Sequence, residues 1–376
     1  MAVGFPAKTN FATGDVLTAT NMNDVTGTLN LLQQDLYPAG RNKINNADFR
    51  INQRAFTSTT TTGTFGYDRW KLSAADGTST YSANTFTLGA APVVGYEGTN
   101  FPRLVSTGQT LTTARTALRT VLESVKTLAG QTATISFWAK ASSGTPSVAA
   151  GVSQLFGTGG SPSATVEIPA GKTAITTSWA RYSFTVAVPS ISGKTIGTNG
   201  DDSLVVDLFT SAGTSFNAIS SSLGIQSVTI DFWGVQLENG STASPFQTAT
   251  GSIQGELALC QRYYFRENYD AQTLYAIFAS GSAASTTVAN FVQPFPVNMR
   301  TKPSTLDFPT VATSFTVVDA AGNAQAPSAL TIDGNQTTSS QGYFTSTVAS
   351  GLTQFRPYVL RGNNTTGAYL GWSADL

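Results

Sequence analysis

Thr134–Ile135–Ser136–Phe137–Trp138–Ala139–Lys140 and Ile230–Asp231–Phe232–Trp233–Gly234–Val235–Gln236–Leu237 decide the fold. In the first, Ile135, Phe137 and Ala139 share one side, and Ser136, Trp138 and Lys140 share the other. A period of two is the signature of a pleated strand, since successive side chains leave a strand on opposite faces. Asp68–Leu72 and Tyr182–Val188 alternate in the same way. Leu204–Val205–Val206–Asp207–Leu208–Phe209 is apolar on both faces, as a central strand would be. Small-residue and proline stretches, among them Ser142–Pro146 and Thr158–Ser163, separate these runs and supply turns. The pattern predicts an antiparallel sandwich. One helical interruption is expected over Ala114–Lys126, where Ala117, Leu118, Val121, Leu122 and Val125 have helical spacing.

Outward from this body the pattern changes twice. Met22, Val25, Leu29, Leu32 and Leu36 recur at spacings of three and four, an a/d seam that Pro38 and Gly40 stop. It reads either as a short parallel bundle within an oligomer or as one amphipathic helix lying on its own domain. Leu257, Cys260, Tyr263 and Tyr264 predict a short helical hinge. Alternation then returns in Leu274–Phe278, Thr286–Val292, Ser314–Val318 and Tyr358–Leu360. The expected layout is an N-terminal segment over 1–45, the sandwich over 46–250, and a smaller C-terminal β-domain with its hinge over 251–376. The fold class is mainly β with a short N-terminal helical anchor. No fixed-period repeat indicates a solenoid or propeller.

Composition narrows the function. The 376 residues carry 21 Lys+Arg and 21 Asp+Glu, so no global field favours nucleic acid or an anionic membrane. Charged residues make up 11%, against about 25% in ordinary soluble domains. So weakly charged a surface suits burial in an assembly. Histidine is absent, which removes Ser-His-Asp and Cys-His catalysis. Cys260 is the only cysteine and sits among Leu257, Ala258 and Leu259, so a buried, inert thiol is expected. Glu167, Asp201, Asp202, Asp207 and Asp231 offer carboxylates, but no spacing forces a pair to converge as a glycosidase needs. No enzymatic activity and no cofactor are expected. Met1–Asn10 lacks the basic and apolar regions of a signal peptide, and no run of 18 apolar residues suggests membrane insertion.

Several segments together carry a resemblance. Asn46–Ala47–Asp48–Phe49–Arg50–Ile51–Asn52–Gln53–Arg54, followed by Tyr67–Asp68–Arg69–Trp70, resembles the opening of bacteriophage tail-fibre and virion structural proteins. Trp233–Gly240 and Ala243–Phe246 resemble the close of the same domain, and Glu256–Tyr264 resembles the segment directly after it. Phe11–Thr18 is similar to N-terminal attachment segments, and Phe295–Pro303 to the C-terminal β-domain of such fibres. Ile135–Lys140, Trp179–Tyr182 and Asp231–Leu237 are similar to jelly-roll carbohydrate-binding modules.

This resemblance implies a virion subunit made in the host cytoplasm and carried on the particle exterior. It implies a homotrimer, joined to another virion protein through residues 1–45. Two functions stay open: adsorption to a host surface glycan, or a purely architectural role. A carbohydrate-binding module of a secreted protein is a third. Trp138, Trp233, Lys140 and Gln236 form the expected ligand face, against burial under a loop or a neighbouring subunit. Some carbohydrate-binding modules hold a structural calcium, which points to Asp48 and Asp231. Two carboxylates fall short of the six to eight oxygens calcium takes, and no metal is expected.

Overall fold

The computed structural model describes residues 40–268 and 273–376. The seam Met22, Val25, Leu29, Leu32 and Leu36, with the N-terminal helical anchor, lies outside the described residues.

Eleven strands of the described residues form the sandwich. They are β1 (Ser58–Thr59), β2 (Trp70–Ala75), β3 (Thr78–Thr85), β4 (Asn100–Thr107), β5 (Arg115–Glu123), β6 (Thr132–Ala141), β7 (Ser147–Leu155), β8 (Val166–Ala174), β9 (Ala180–Ala187), β10 (Ser203–Ala212) and β11 (Val228–Asn239). A six-stranded sheet of order β1-β3-β4-β11-β6-β9 faces a five-stranded sheet of order β2-β5-β10-β7-β8. All pairings are antiparallel, and the chain changes sheet at most of its connections, a jelly-roll path. Trp70, Leu72, Leu118 and Leu208 of one sheet meet Leu104, Phe137, Phe232 and Leu237 of the other in a single buried core.

One sequence expectation is corrected here. Over Ala114–Lys126 the chain forms strand β5, not a helix. It lies between β2 and β10, so both its faces are covered: Leu118 and Leu122 point into the core, while Ala117 packs with Phe209 and Ile219 outside it. A strand buried on both sides loses its alternation, and a helix-like spacing results. In addition, residues 41–45 pack on the sandwich. Lys43 N donates to Leu237 O, and Asn42 Nδ2 donates to Val235 O at 3.1 Å.

A β-bulge sets the phase of β11. Trp233 pairs with Trp138, but Gln236 pairs with Ser136, so Gly234 and Val235 together oppose Phe137. The extra residue keeps Val235 and Leu237 in the core beyond the bulge. Gly234 has φ +59°, and a Cβ there would come within 2.8 Å of Trp138 Cε3.

The C-terminal unit has its own core. Its strands are β12 (Tyr264–Glu267), β13 (Ile277–Ala283), β14 (Val288–Pro294), β15 (Thr305–Asp307), β16 (Phe315–Val318), β17 (Ala324–Gln325), β18 (Pro327–Ile332), β19 (Gln341–Val348), β20 (Pro357–Gly362) and β21 (Leu370–Ser373). They form a seven-stranded sheet, β17-β16-β20-β13-β14-β19-β18, and a three-stranded sheet, β12-β21-β15. Phe278, Phe291, Phe315, Phe344 and Trp372 fill the space between. The expected hinge is helix α1 (Ile253–Gln261), capped by the Ser252 hydroxyl accepting from Gly255 N at 3.1 Å.

A buried polar joint connects the two units. Arg54 donates to Asp375 at 2.6 Å, lies 3.5 Å from an Asp68 oxygen, and stacks 3.6 Å from the Tyr264 ring. Arg69 stacks 3.4 Å from the Tyr263 ring and also reaches Asp375. Gln53 Nε2 donates to Asp68 at 3.0 Å and to Tyr264 O at 2.7 Å. Arg262 holds Glu123 through two hydrogen bonds of 2.8 and 2.7 Å. Burial would lower the Arg54 pKa, but Asp375 and Asp68 raise it on balance. Burial pushes the Asp68 carboxyl up, and Arg54 and Gln53 pull it back in part. Cys260 lies buried on α1, and burial pushes its thiol well above the usual range.

Two variants test these features. Gly234→Val should lower unfolding stability by about 2–4 kcal/mol, through forced positive φ and overpacking against Trp138. Arg54→Ala should cost about 3–5 kcal/mol by stranding Asp68 and Asp375. Denaturant titration measures both, and small-angle scattering should show loosened inter-unit geometry for the second alone.

Candidate functional site

The face of the six-stranded sheet that looks away from the core carries all four expected ligand residues. Register places Trp138 beside Trp233, Lys140 beside Asp231 and Ser136 beside Gln236. Alternation sends these side chains outward, opposite Phe137 and Phe232. The four therefore share a face, but their exposure does not follow.

Three of the four are covered by the chain itself. Trp233 and Gln236 are 0% exposed and Trp138 is 9% exposed. Phe246 packs 4.8 Å from Trp233 and 5.8 Å from Trp138, between ring centroids. Tyr96 lies 5.6 Å from Trp233, and the two tryptophans meet edge to face at 5.5 Å. Two adjacent indoles on an outer face expose too much apolar area to leave in water, so the segments around Tyr96 and Phe246 close over them. Trp138, Trp233 and Gln236 are thereby corrected from ligand contacts to packing residues.

Gln236 belongs to a saturated polar box next to this layer. Its Nε2 donates to Glu238 at 2.7 Å and to Ser244 Oγ at 2.9 Å, and its Oε1 accepts from Gln247 N at 2.9 Å. Glu238 also accepts from Ser244 N at 2.8 Å and pairs with Arg41. Burial alone would raise the Glu238 pKa, but Ser244, Gln236 and Arg41 hold it below the ordinary value. Arg181 covers Trp138 at 4.7 Å and donates to Ser244 O at 2.6 Å.

The other end of the face is open. Arg103 grips Asp231 with bonds of 2.7 and 3.0 Å, which raises the Arg103 pKa. Lys140 Nζ stands 3.7 Å from Asp231 and 5.2 Å from the Trp179 ring. Trp179 is half-buried and packs against Phe86 at 5.5 Å and Phe101 at 5.6 Å. Arg103, Lys140 and Trp179 thus make a strip of donors and one half-buried indole, anchored on the buried Asp231. Lys140 is the expected residue that remains at this surface. Trp179 and Arg103 were not expected there. Trp179 precedes β9 and sits in phase with Arg181, the one sequence signal for the outward side.

Calcium does not fit Asp48 and Asp231. Both Asp231 oxygens face Arg103, with Lys140 beside them. Asp48 Oδ2 accepts from Tyr96 at 2.6 Å and lies 3.1 Å from Arg50. Among the described residues no three His, Cys, Asp or Glu cluster as a metal site.

No protein-family model and no curated protein sequence matches the chain. Among solved structures it is similar to the enzymatically active domain of tailspike protein 4 of bacteriophage CBA120, at 12% identity and TM-score 0.31, over 53% of this chain and 22% of that one. It is similar to the CBM22-2 xylan-binding domain of Paenibacillus barcinonensis Xyn10C, at 14% identity and TM-score 0.29, over 46% of this chain and 92% of that one. It is also similar to a family 11 carbohydrate-binding module of Clostridium thermocellum, at 10% identity and TM-score 0.30, over 50% of this chain and 99% of that one. The fold assignment stands on the strand order and register above.

Glu238 makes a pH test. Its folded pKa is lowered, so its stabilisation is present above the unfolded carboxylate pKa of about 4.3 and is lost as pH falls through the folded value. Glu238→Gln should cost roughly 1.5–3 kcal/mol at neutral pH, and the deficit should shrink on acidification. Melting curves across the acid range measure it.

Proposed function

We propose that this chain is a structural subunit of a bacteriophage particle, fibre-like, whose sandwich adsorbs to a host surface glycan. The observation that carries the reading is the joint. Asn46–Arg54, Tyr67–Trp70 and Glu256–Tyr264, which carry the sequence resemblance, are distant in the chain yet fold into one connection between two β-units. Two β-units joined by a buried polar contact, with a neutral net charge and few charged residues, suit a fibre built from copies of itself. A homotrimer on the particle exterior, attached to another virion protein through residues 1–45, completes the proposal.

The open strip supports the adsorption half. An indole face packs on a sugar ring, while Arg103 and Lys140, held in place by the buried Asp231, offer donors to hydroxyls. The role proposed is non-enzymatic; the strip's one carboxylate, Asp231, is buried and bound to Arg103 and Lys140. The architectural reading drops the glycan and keeps the joint and the trimer.

The full chain should bind a host glycan on an array, and Trp179→Ala should weaken that binding about tenfold or more without lowering the melting midpoint by more than a few degrees. Binding that ignores Trp179→Ala removes the strip from the proposal. No glycan or host-cell binding, with tight docking to another virion protein, favours the architectural role. Sedimentation equilibrium should return three times the 39.3 kDa chain mass.

A further inference from the structure

We infer that the glycan unit held at the Trp179 strip is an acidic one, a sugar ring bearing a carboxylate, with the ring on the indole and the carboxylate against Lys140. This rests on the adsorption reading above and names the class of glycan that the same site takes.

The set of donors decides the class. Trp, Lys and Arg side chains donate hydrogen bonds and accept none. The strip's one carboxylate is Asp231, whose side chain is 4% exposed, and Arg103 occupies both its oxygens through Nε and Nη2. Arg103 Nη1 is left over. Lys140 Nζ stands 3.7 Å from Asp231, beyond hydrogen-bond reach, and 5.2 Å from the centre of the Trp179 ring. Among the described residues it makes no hydrogen bond, and 31% of the side chain is exposed. A neutral sugar hydroxyl packed here would accept from Lys140 but find no carboxylate for its own proton. An ionised carboxylate only accepts, so it matches a set of donors.

Charge points the same way. Register places Ser82, Arg103, Asp231 and Lys140 side by side across β3, β4, β11 and β6, two cations against one carboxylate. Among the described residues no second carboxylate lies within ion-pair distance of either cation. The excess of one positive charge suits one carboxylate per ring. The chain as a whole is neutral, so the preference acts by contact at Lys140 and not through a long-range field. An ammonium held by a ring and an oxygen 3.7 Å away can turn towards a ligand, because a charge-assisted hydrogen bond exceeds the exposed cation–π contact it gives up.

The test presents the full chain with an array of uronate-containing bacterial polysaccharides, each beside its carboxyl-reduced form, in which the carboxylate becomes a hydroxymethyl group and nothing else changes. At least one acidic member should bind, about tenfold more tightly than its reduced form. Lys140→Met should bring that binding down to the level of the reduced form, while Lys140→Arg keeps the preference. Asp231 retains both Arg103 hydrogen bonds in Lys140→Met, so the fold should survive, and an unchanged melting midpoint checks this. Lys126→Met alters an exposed lysine outside the strip; it removes the same charge from the chain and should leave binding unchanged. Reduced forms that bind as tightly as the acidic ones overturn the inference and leave the adsorption reading standing. So does an acidic preference that survives Lys140→Met, or one lost equally in Lys126→Met. Binding of neither form removes the adsorption reading, and the acidic class falls with it.

Discussion

Arg54 is held by the carboxylates of Asp68 and Asp375 while the Tyr264 ring covers its guanidinium, and the relation of the two β-units depends on this contact. Such a cluster adds little net stability over a well-packed apolar contact, because desolvation offsets most of the attraction. Its consequence is angular. Two carboxylates and two arginines, Arg54 and Arg69, are withdrawn from water together, and any other seating of the units would leave one of them buried without its partner. The planar guanidinium groups of Arg54 and Arg69 also orient the rings of Tyr264 and Tyr263, which follow α1, Tyr264 beginning β12. Orientation is therefore coupled to the helix, the first strand of the second unit and the loop before β2 at once.

A sandwich with one buried face normally leaves the other to solvent. Here the six-stranded sheet buries part of its second face under its own connections. Along that face lie a polar box around Glu238, an aromatic layer around Trp233, and the open strip at Trp179. The order has a physical reason. The polar box is closed because Gln236, Ser244 and Arg181 find carboxylate, hydroxyl or carbonyl partners within it, whereas the strip keeps Arg103 and Lys140 partly hydrated above the buried Asp231 and needs no lid. Gly234 makes the arrangement possible, since only a residue without a Cβ lets Trp138 approach the bulge that rephases β11.

Alternation was enough to read the sandwich and to place Trp138, Lys140, Trp233 and Gln236 on one outer face. It could not show what covers that face, because Tyr96 and Phe246 arrive from irregular segments with no period to read. It failed at β5, where burial on both sides replaces alternation with runs. The joint was legible only as a resemblance. Arg54 and Asp375 stand 321 residues apart, and nothing local in either segment announces the other. Asp48 was read as a carboxylate in search of a metal, while the structure gives it a tyrosine and an arginine.

The low charge content acquires a structural meaning from these pairings. Asp207 with Arg119, Asp231 with Arg103, Glu123 with Arg262 and Asp319 with Arg356 are spent within the fold, most of them across neighbouring strands or between segments. With few charges in the sequence and a net charge of zero, the surface exerts little long-range field. Association with a neutral partner then gains nothing from steering and must rely on contact: hydroxyls exchanging hydrogen bonds, and aromatic faces shedding water. At the Trp179 strip, with Lys140 and Arg103 beside the indole, this surface holds both kinds of contact together.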